Sequence, residues 1–333
     1  MALIYAMVEE AANYRGRACD TSSAMFEQQI NTPFIIRKRS STLFLKTVFR
    51  ATTLALALSP SVLAQSSQPV QNSSPQSENF IGRWLDRVTA TQAQQPNWAV
   101  PVFSPYPMLI QVFRADFDRQ ITSAGTTWNY GSSKGLNLIP FKNTEIDIYY
   151  PPYLQHNSAK SIDGFGDMSF VGKYRILAGN NEHGNYMLSA LVITTIPTGS
   201  HSNGSTDATV NPTLAGGKGF GKFDVQTTLG ATLPTGDTTK LGRPVLWNAT
   251  AQYHLSKYLW PELESNETLY HGGANDGKKQ EFLTPGLIFS KYKLRPHDPK
   301  SRLGVAGGAG MQIATSSFHT YNHQLVLTTR FLF

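Results

Sequence analysis

Ionisable residues recur at every second position along several stretches of this chain. "RADFD" places Arg114, Asp116 and Asp118 in one such row. "TEIDIYY" does the same with Glu145 and Asp147, and "DMSFVGKYRI" with Asp167, Lys173 and Arg175. Asp224 in "KFDVQTTLGATL" and Arg330 near the end join the set. Charges at alternate positions could line a water-filled passage and select solutes by charge. The mixed signs argue against strong selection, and the plainer expectation is that they pair across the interior and stiffen the wall. Other chemistry is weaker. Ser316, Ser317, His319 and His323 could supply a nucleophile and a base, yet no third orienting group is evident and no G-x-S-x-G occurs. The two histidines could bind a metal, but solvated histidines are the commoner case. "GGKGFGK" at 216–222 lacks the GK[ST] ending of a phosphate loop. No enzyme, cofactor or metal site is expected.

The elements that carry these residues read as strands. In "KFDVQTTLGATL", Phe223, Val225, Leu229, Ala231 and Leu233 oppose Asp224, Gln226, Thr228 and Thr232. "PVLWNATAQYHLS" alternates in the same way. Each run is close to the ~9–11 residues that a tilted strand needs to cross a bilayer. Aromatics gather near the ends of the apolar face, as interfacial girdles do. About twelve runs follow, near 106–118, 127–138, 143–151, 164–177, 185–196, 207–217, 222–233, 244–256, 257–269, 280–290, 302–313 and 321–333. Pro285 is awkward inside its run and predicts a bulge. "AGNNEHGN", "GKGFGK" and "SKY" are compact breaks, whereas "PPYLQHNSAKSIDG", "TGSHSNGSTD", "TGDTTKLGRP" and "HGGANDGKK" are longer and polar. "TTIPTG" and "ATLPTG" each close a strand before a long loop. The fold class expected is all-β: an antiparallel up-and-down transmembrane β-barrel of about 12 strands with a short N-terminal helix. A soluble sandwich or lipocalin-like barrel also alternates, but gives no reason for aromatic strand ends.

Upstream, "RKRSSTLFLKTVFRATTLALALSPSVLAQ" has the basic region, apolar stretch and small-x-small end of a secretory signal. The expected division is leader and signal over 1–64 (true start possibly Met25), linker and short periplasmic helix over 65–105, and barrel over 106–333. "NFIGRWLDRVTATQAQQPNW" has Phe80, Ile81, Trp84, Leu85 and Val88 at helical spacing, with Asn79 to cap it and Pro96 to end it. Such a helix packs on the body or gates it from the periplasm. The single cysteine, Cys19, lies in the leader, so no disulfide framework is expected. Charged residues make up only 15% and the formal net charge is +7; residues 65–333 hold 22 Lys/Arg against 18 Asp/Glu. That excess is too weak and scattered for a nucleic-acid partner.

The last run, "YNHQLVLTTRFLF", puts Leu325, Leu327, Phe331 and Phe333 on one face with Thr329 a weak member. This pattern resembles the signature read by the barrel-assembly machinery of outer membranes. "TQAQQPNWAVPVFSPYPML", "QVFRADFD", "GFGDMSFVGKYRIL", "IPTG", "LPTGD" and "WPELESNETLYHGG" followed by "FLTPGLIF" resemble the transporters grouped as the "MetA-pathway of phenol degradation" family. The resemblance implies an outer-membrane barrel among outer-membrane lipids, carrying small-molecule solutes of hydrophobic or aromatic character. The alternatives are a non-conducting structural or adhesive barrel and, less favoured, an outer-membrane hydrolase.

Overall fold

The computed structural model describes residues 80–158, 161–298 and 301–333. The expected leader, signal and linker, together with Cys19 and Asn79, lie outside the described residues. One helix, α1 (Phe80–Ala93), precedes sixteen strand segments. These are β1 (Val112–Thr122), β2 (Gly125–Gly131), β3 (Gly135–Phe141), β4 (Thr144–Tyr149), β5 (Tyr153–Asn157), β6 (Gly164–Phe165), β7 (Met168–Gly179) and β8 (Tyr186–Ile196). There follow β9 (Thr209–Phe220), β10 (Phe223–Ala231), β11 (Leu233–Pro234), β12 (Val245–Tyr253), β13 (Leu259–Leu269), β14 (Lys279–Lys293), β15 (Gly304–Ala314) and β16 (His323–Leu332).

Four pairs of segments, β2/β3, β4/β5, β6/β7 and β10/β11, are halves of single wall strands, so the sixteen segments make twelve. Each pairs antiparallel with its sequence neighbour, and β16 pairs with β1 from Val112–Leu332 to Ile121–His323. The sheet therefore closes into a 12-stranded barrel without a free edge. One end carries the turns 142–143, 180–185, 221–222 and 254–258 together with the end of β14 and the start of β15 (the turn end). The other carries the ends of β5 and β6, the connections 197–208, 235–244, 270–278 and 315–322, and the tight 123–124 (the loop end).

Burial is reversed relative to a soluble protein. Gln226, Gln252, Glu264 and Gln312 are wholly buried, while Leu229 is 57% exposed and Phe289 52%. Period-two alternation explains this directly: polar residues face the interior and apolar ones the outside. Among the described residues no helix is long and apolar enough to cross a membrane.

Three expectations need correction. "PPYLQHNSAKSIDG", expected as a polar break, carries the strand segment β5, which pairs with β2. The first wall strand begins at Val112, not at 106. Residues 106–109 do not alternate; Tyr106, Met108 and Leu109 are all buried, inside the barrel. Pro285 is regularly paired with Leu263, and the bulge lies instead between Phe289 and Tyr292. Helix α1 forms where its periodicity predicts, with Val88 buried, while Phe80 and Ile81 of the expected apolar face are exposed. Its Trp84 indole donates to the Ile139 carbonyl at 2.8 Å, and its Arg87 bonds the Pro140 carbonyl, both at the turn end of β3.

Candidate functional site: a lumen threaded by residues 94–111

After α1 the chain enters the barrel without helix or strand, bending at 102–104 and at 107. A chain without regular structure inside a closed wall cannot satisfy its own peptide groups, so its surroundings must. From Val100 to Ser104 the wall does so almost group by group. Arg330 donates to the carbonyls of Val100 and Pro101, each at 2.7 Å. Arg114 donates to the carbonyl of Val102. Glu262 accepts the Val102 N–H at 2.9 Å, and Glu264 accepts those of Phe103 at 2.8 Å and Ser104 at 2.6 Å. Further along, Ser189 donates to the Pro107 carbonyl at 2.7 Å and Lys173 to that of Met108 at 3.0 Å. Gln95 bonds both the N–H and the carbonyl of Leu109, and Glu145 accepts the Ile110 N–H. Prolines 96, 101, 105 and 107 remove donors that would otherwise need partners.

Apolar side chains fix the register of this segment. Trp98, Tyr106, Met108 and Leu109 pack with Val88 of α1 and with Ile139 and Met187 of the wall. Val102 packs with Trp260, Ile288 and Val326. The Lys173 ammonium sits 4.0 Å from the Tyr106 ring centre. The Tyr106 phenol oxygen accepts from Asn137 at 3.3 Å.

The sequence-derived lumen residues fall into four overlapping groups. Arg114–Asp116 and Lys173–Glu145 are direct ion pairs at 2.7 and 2.8 Å with every member buried, but the first lies within β1 and the second joins register neighbours on β4 and β7, so the pairing is local to the wall rather than across the interior. Arg114, Lys173, Glu145, Arg175 and Arg330 also grip the threaded segment or α1; Arg175 reaches the Thr91 carbonyl at 2.7 Å. Asp118, Asp147 and Asp224 face inward but bond wall side chains, such as Ser132 and Gln324 for Asp118 and Gln226 for Asp224. Tyr149 donates to Asp147 at 2.9 Å. Asp167 departs from its assignment. It lies between β6 and β7 and accepts the N–H groups of Thr198, Gly199 and Ser205, so it ties down a loop rather than lining the passage. Glu262 and Glu264 were missed, although alternation through "WPELESNETL" already places both on the polar face.

Two cavities remain on the loop-end side of the threaded segment. One of about 440 Å³ is bounded by Phe103, Pro105, Asp118, Asn129, Thr228 and Gln324. The other, about 200 Å³, lies between Tyr106, Tyr149 and Leu191. Helix α1 covers the turn end, where Arg302 donates to Thr89 at 2.7 Å and Asn180 to the Ala93 carbonyl at 3.2 Å.

At the loop-end histidines, His319 Nδ1 meets the Ser316 carbonyl at 3.0 Å, and the Ser316 hydroxyl donates to the Phe318 carbonyl at 2.7 Å. That hydroxyl is bonded away from the ring, so the pair is not arranged as a nucleophile and its base. Among the described residues no three metal-binding side chains converge. "GGKGFGK" forms the β9–β10 hairpin.

No protein-family description matches the sequence, and no curated protein matches it. Solved structures of similar shape include an outer-membrane channel from Pseudomonas putida F1, with a TM-score of 0.48 and 15% identity over 71% of this chain and 100% of that one. The NanC porin gives 0.44 and 9% over 66% and 100%, and the KdgM porin 0.40 and 9% over 66% and 99%.

Proposed function

We propose that this chain is an outer-membrane channel for small solutes, at rest occluded by residues 94–111. The observation that carries this reading is the reversed burial of a closed barrel: an apolar exterior suited to lipid around a polar interior that holds two cavities. A wall of this kind has no use in water, where its exposed Tyr, Phe and Leu would associate. It follows that a signal peptide exports the chain, that barrel-assembly machinery reads Leu325, Leu327, Phe331 and Phe333, and that passage requires the threaded segment to shift. The resemblance to phenol-degradation transporters supports small hydrophobic or aromatic cargo.

The dense bonding between wall and segment favours a second reading, a permanently closed structural barrel. Planar-bilayer recordings of the refolded protein separate the two. The channel reading expects discrete openings that become larger and longer when Arg330 and Glu264 are both replaced by Ala. A folded double variant as silent as the wild type would leave only the closed barrel.

A further inference from the structure

We infer that the 200 Å³ cavity of the lumen binds a small zwitterion, an α-amino acid with an apolar side chain, whose carboxylate meets Lys134 and whose ammonium meets Asp147. This assignment rests on the reading of the barrel as a solute channel and names the class of solute that its lumen holds.

Most lumen charges are already engaged within the protein. Arg114 and Lys173 border this cavity, but their partners are Asp116 and Glu145, at 2.7 and 2.8 Å. Two opposite charges are left at its edge. The Lys134 ammonium rests over the Tyr149 ring, 5.6 Å from its centre, and among the described residues it forms no ion pair. Asp147 is 1% exposed. Its Oδ2 accepts from the Tyr149 hydroxyl at 2.9 Å, while its Oδ1 is buried without a hydrogen-bond partner among the described residues. Tyr149 thus stands between the two, with its ring beside one charge and its hydroxyl on the other. A buried carboxylate oxygen without a donor is costly. A cation placed here would face Lys134, and an anion would face Asp147. A molecule that carries both signs satisfies the two groups at once and leaves the net charge of the lumen unchanged.

The carboxylate end has further donors. Ser132 and Ser133 hold φ of 47° and 50°, a left-handed turn that residues other than glycine rarely adopt. Backbone of that kind tends to gather where a fold clamps a ligand. The turn is held by the Ser132 N–H on the Asn129 side chain at 3.0 Å, by the Ser132 hydroxyl on Asp118, and by the Lys134 N–H on the Gly131 carbonyl at 2.9 Å. Ser133 borders the cavity beside Lys134, and among the described residues neither its N–H nor its hydroxyl makes a hydrogen bond. Both are therefore free to donate to the same carboxylate.

The opposite end of the cavity is apolar. Val171 and Leu191 are buried, inward-facing residues of β7 and β8, with Tyr149 and Ile193 packed against them. A cavity of ~150 Å³ takes up benzene, so one of about 200 Å³ holds an amino acid with a branched aliphatic side chain. The larger cavity adjoins this one at Pro105, residues 132–134 and Ile193, which border both, and forms the approach from the loop end. Asp118 also keeps one buried oxygen without a partner, but it borders the larger cavity, away from Val171 and Leu191.

The test is calorimetric titration of L-leucine into the full-length protein refolded in detergent, with two probes that each lack one charge. Isocaproate lacks the ammonium and isoamylamine the carboxylate. Leucine should bind saturably, and each probe roughly tenfold or more weaker, as a charged hydrogen bond is lost. Asp147→Asn should weaken leucine by a similar factor and leave isocaproate unchanged. Lys134→Met should weaken leucine and leave isoamylamine unchanged. Asp118→Asn should alter none of the three. Should Asp147→Asn not fold, Val171→Phe fills the apolar end instead and should abolish leucine binding. Absence of leucine binding to the folded wild type would overturn the inference. So would equal affinity for leucine and either probe, or a loss that follows Asp118→Asn in place of Asp147→Asn. Planar-bilayer recordings of the same preparation report on the channel reading separately. Leucine binding with silent bilayers keeps the site and sinks that reading; discrete openings without leucine binding do the reverse.

Discussion

Glu264 accepts two successive backbone N–H groups, at 2.8 and 2.6 Å. Its replacement by Ala leaves both without a partner, at a cost of about 1–3 kcal/mol for each one kept from water. The expected outcome is a threaded segment that leaves its seat more often, seen in single-channel recordings as a higher open fraction. Glu264→Gln keeps one acceptor oxygen and should fall between the two. Equal open fractions in all three proteins would remove Glu264 from the restraint. Arg330 makes the complementary contacts, to the carbonyls of Val100 and Pro101. Alternation alone suggests that Arg330→Glu shifts ion preference toward cations. The structure adds a second effect, because a carboxylate facing two carbonyls is repulsive. Arg330→Glu should therefore both raise conductance and move the reversal potential in a salt gradient toward that of a cation channel. A changed reversal potential at unchanged conductance would mean that Arg330 lines a passage but does not hold its occupant.

At the scale of elements, α1 and the threaded segment do different work. The helix lies against the turn end through Trp84, Arg87 and Arg302, whereas residues 96–110 fill the lumen. Removing residues 66–95 should raise swelling of protein-bearing liposomes in small sugars only modestly. Removing residues 66–110 should raise it several-fold more, because the wall then encloses a continuous passage. Equal swelling from both deletions, with the barrel still folded, would assign the occlusion to the helix. That was the emphasis of the helical periodicity around Trp84. The tertiary structure shifts it downstream, because residues 98–109 carry no period of their own and are shaped by the wall around them.

For the molecule as a whole, closure by β1 and β16 sets which face of every strand points outward. Leu327 points outward and is 42% exposed, while the adjacent Thr328 is 4% exposed and inward. Leu327→Arg should cost about 2–4 kcal/mol in unfolding from lipid vesicles, the range for a cation near the bilayer midplane. Thr328→Lys, placed inside beside Asp116 and the other lumen charges, should cost less and change conductance more. Equal destabilisation by both would argue that the exterior does not face a bilayer. A closed sheet also exposes no edge to detergent, so the wild type should migrate differently on a gel before and after heating.

The amino-acid order by itself determined the wall. A period of two is a property of neighbouring side chains along one strand, so "KFDVQTTLGATL" reveals its inner and outer faces before any partner is known. Breaks rich in Gly, Pro and Asn mark the turns for the same local reason, and twelve strands follow from counting the runs. The occupant of the lumen was not legible in that way. Residues 98–109 are aperiodic because their environment is a ring of wall strands drawn from the whole chain; Val102 alone meets Arg114, Glu262 and Val326. Nor could alternation separate Asp167, which ties a loop, from Asp116, which pairs with Arg114 inside the barrel. Both sit at a polar position of a strand pattern, and only the height at which each strand crosses the barrel decides what that position faces. The break of β2/β3, β4/β5 and β6/β7 at neighbouring positions has the same origin, because the relative level of strands is set by inter-strand register, which exists only once the barrel has closed.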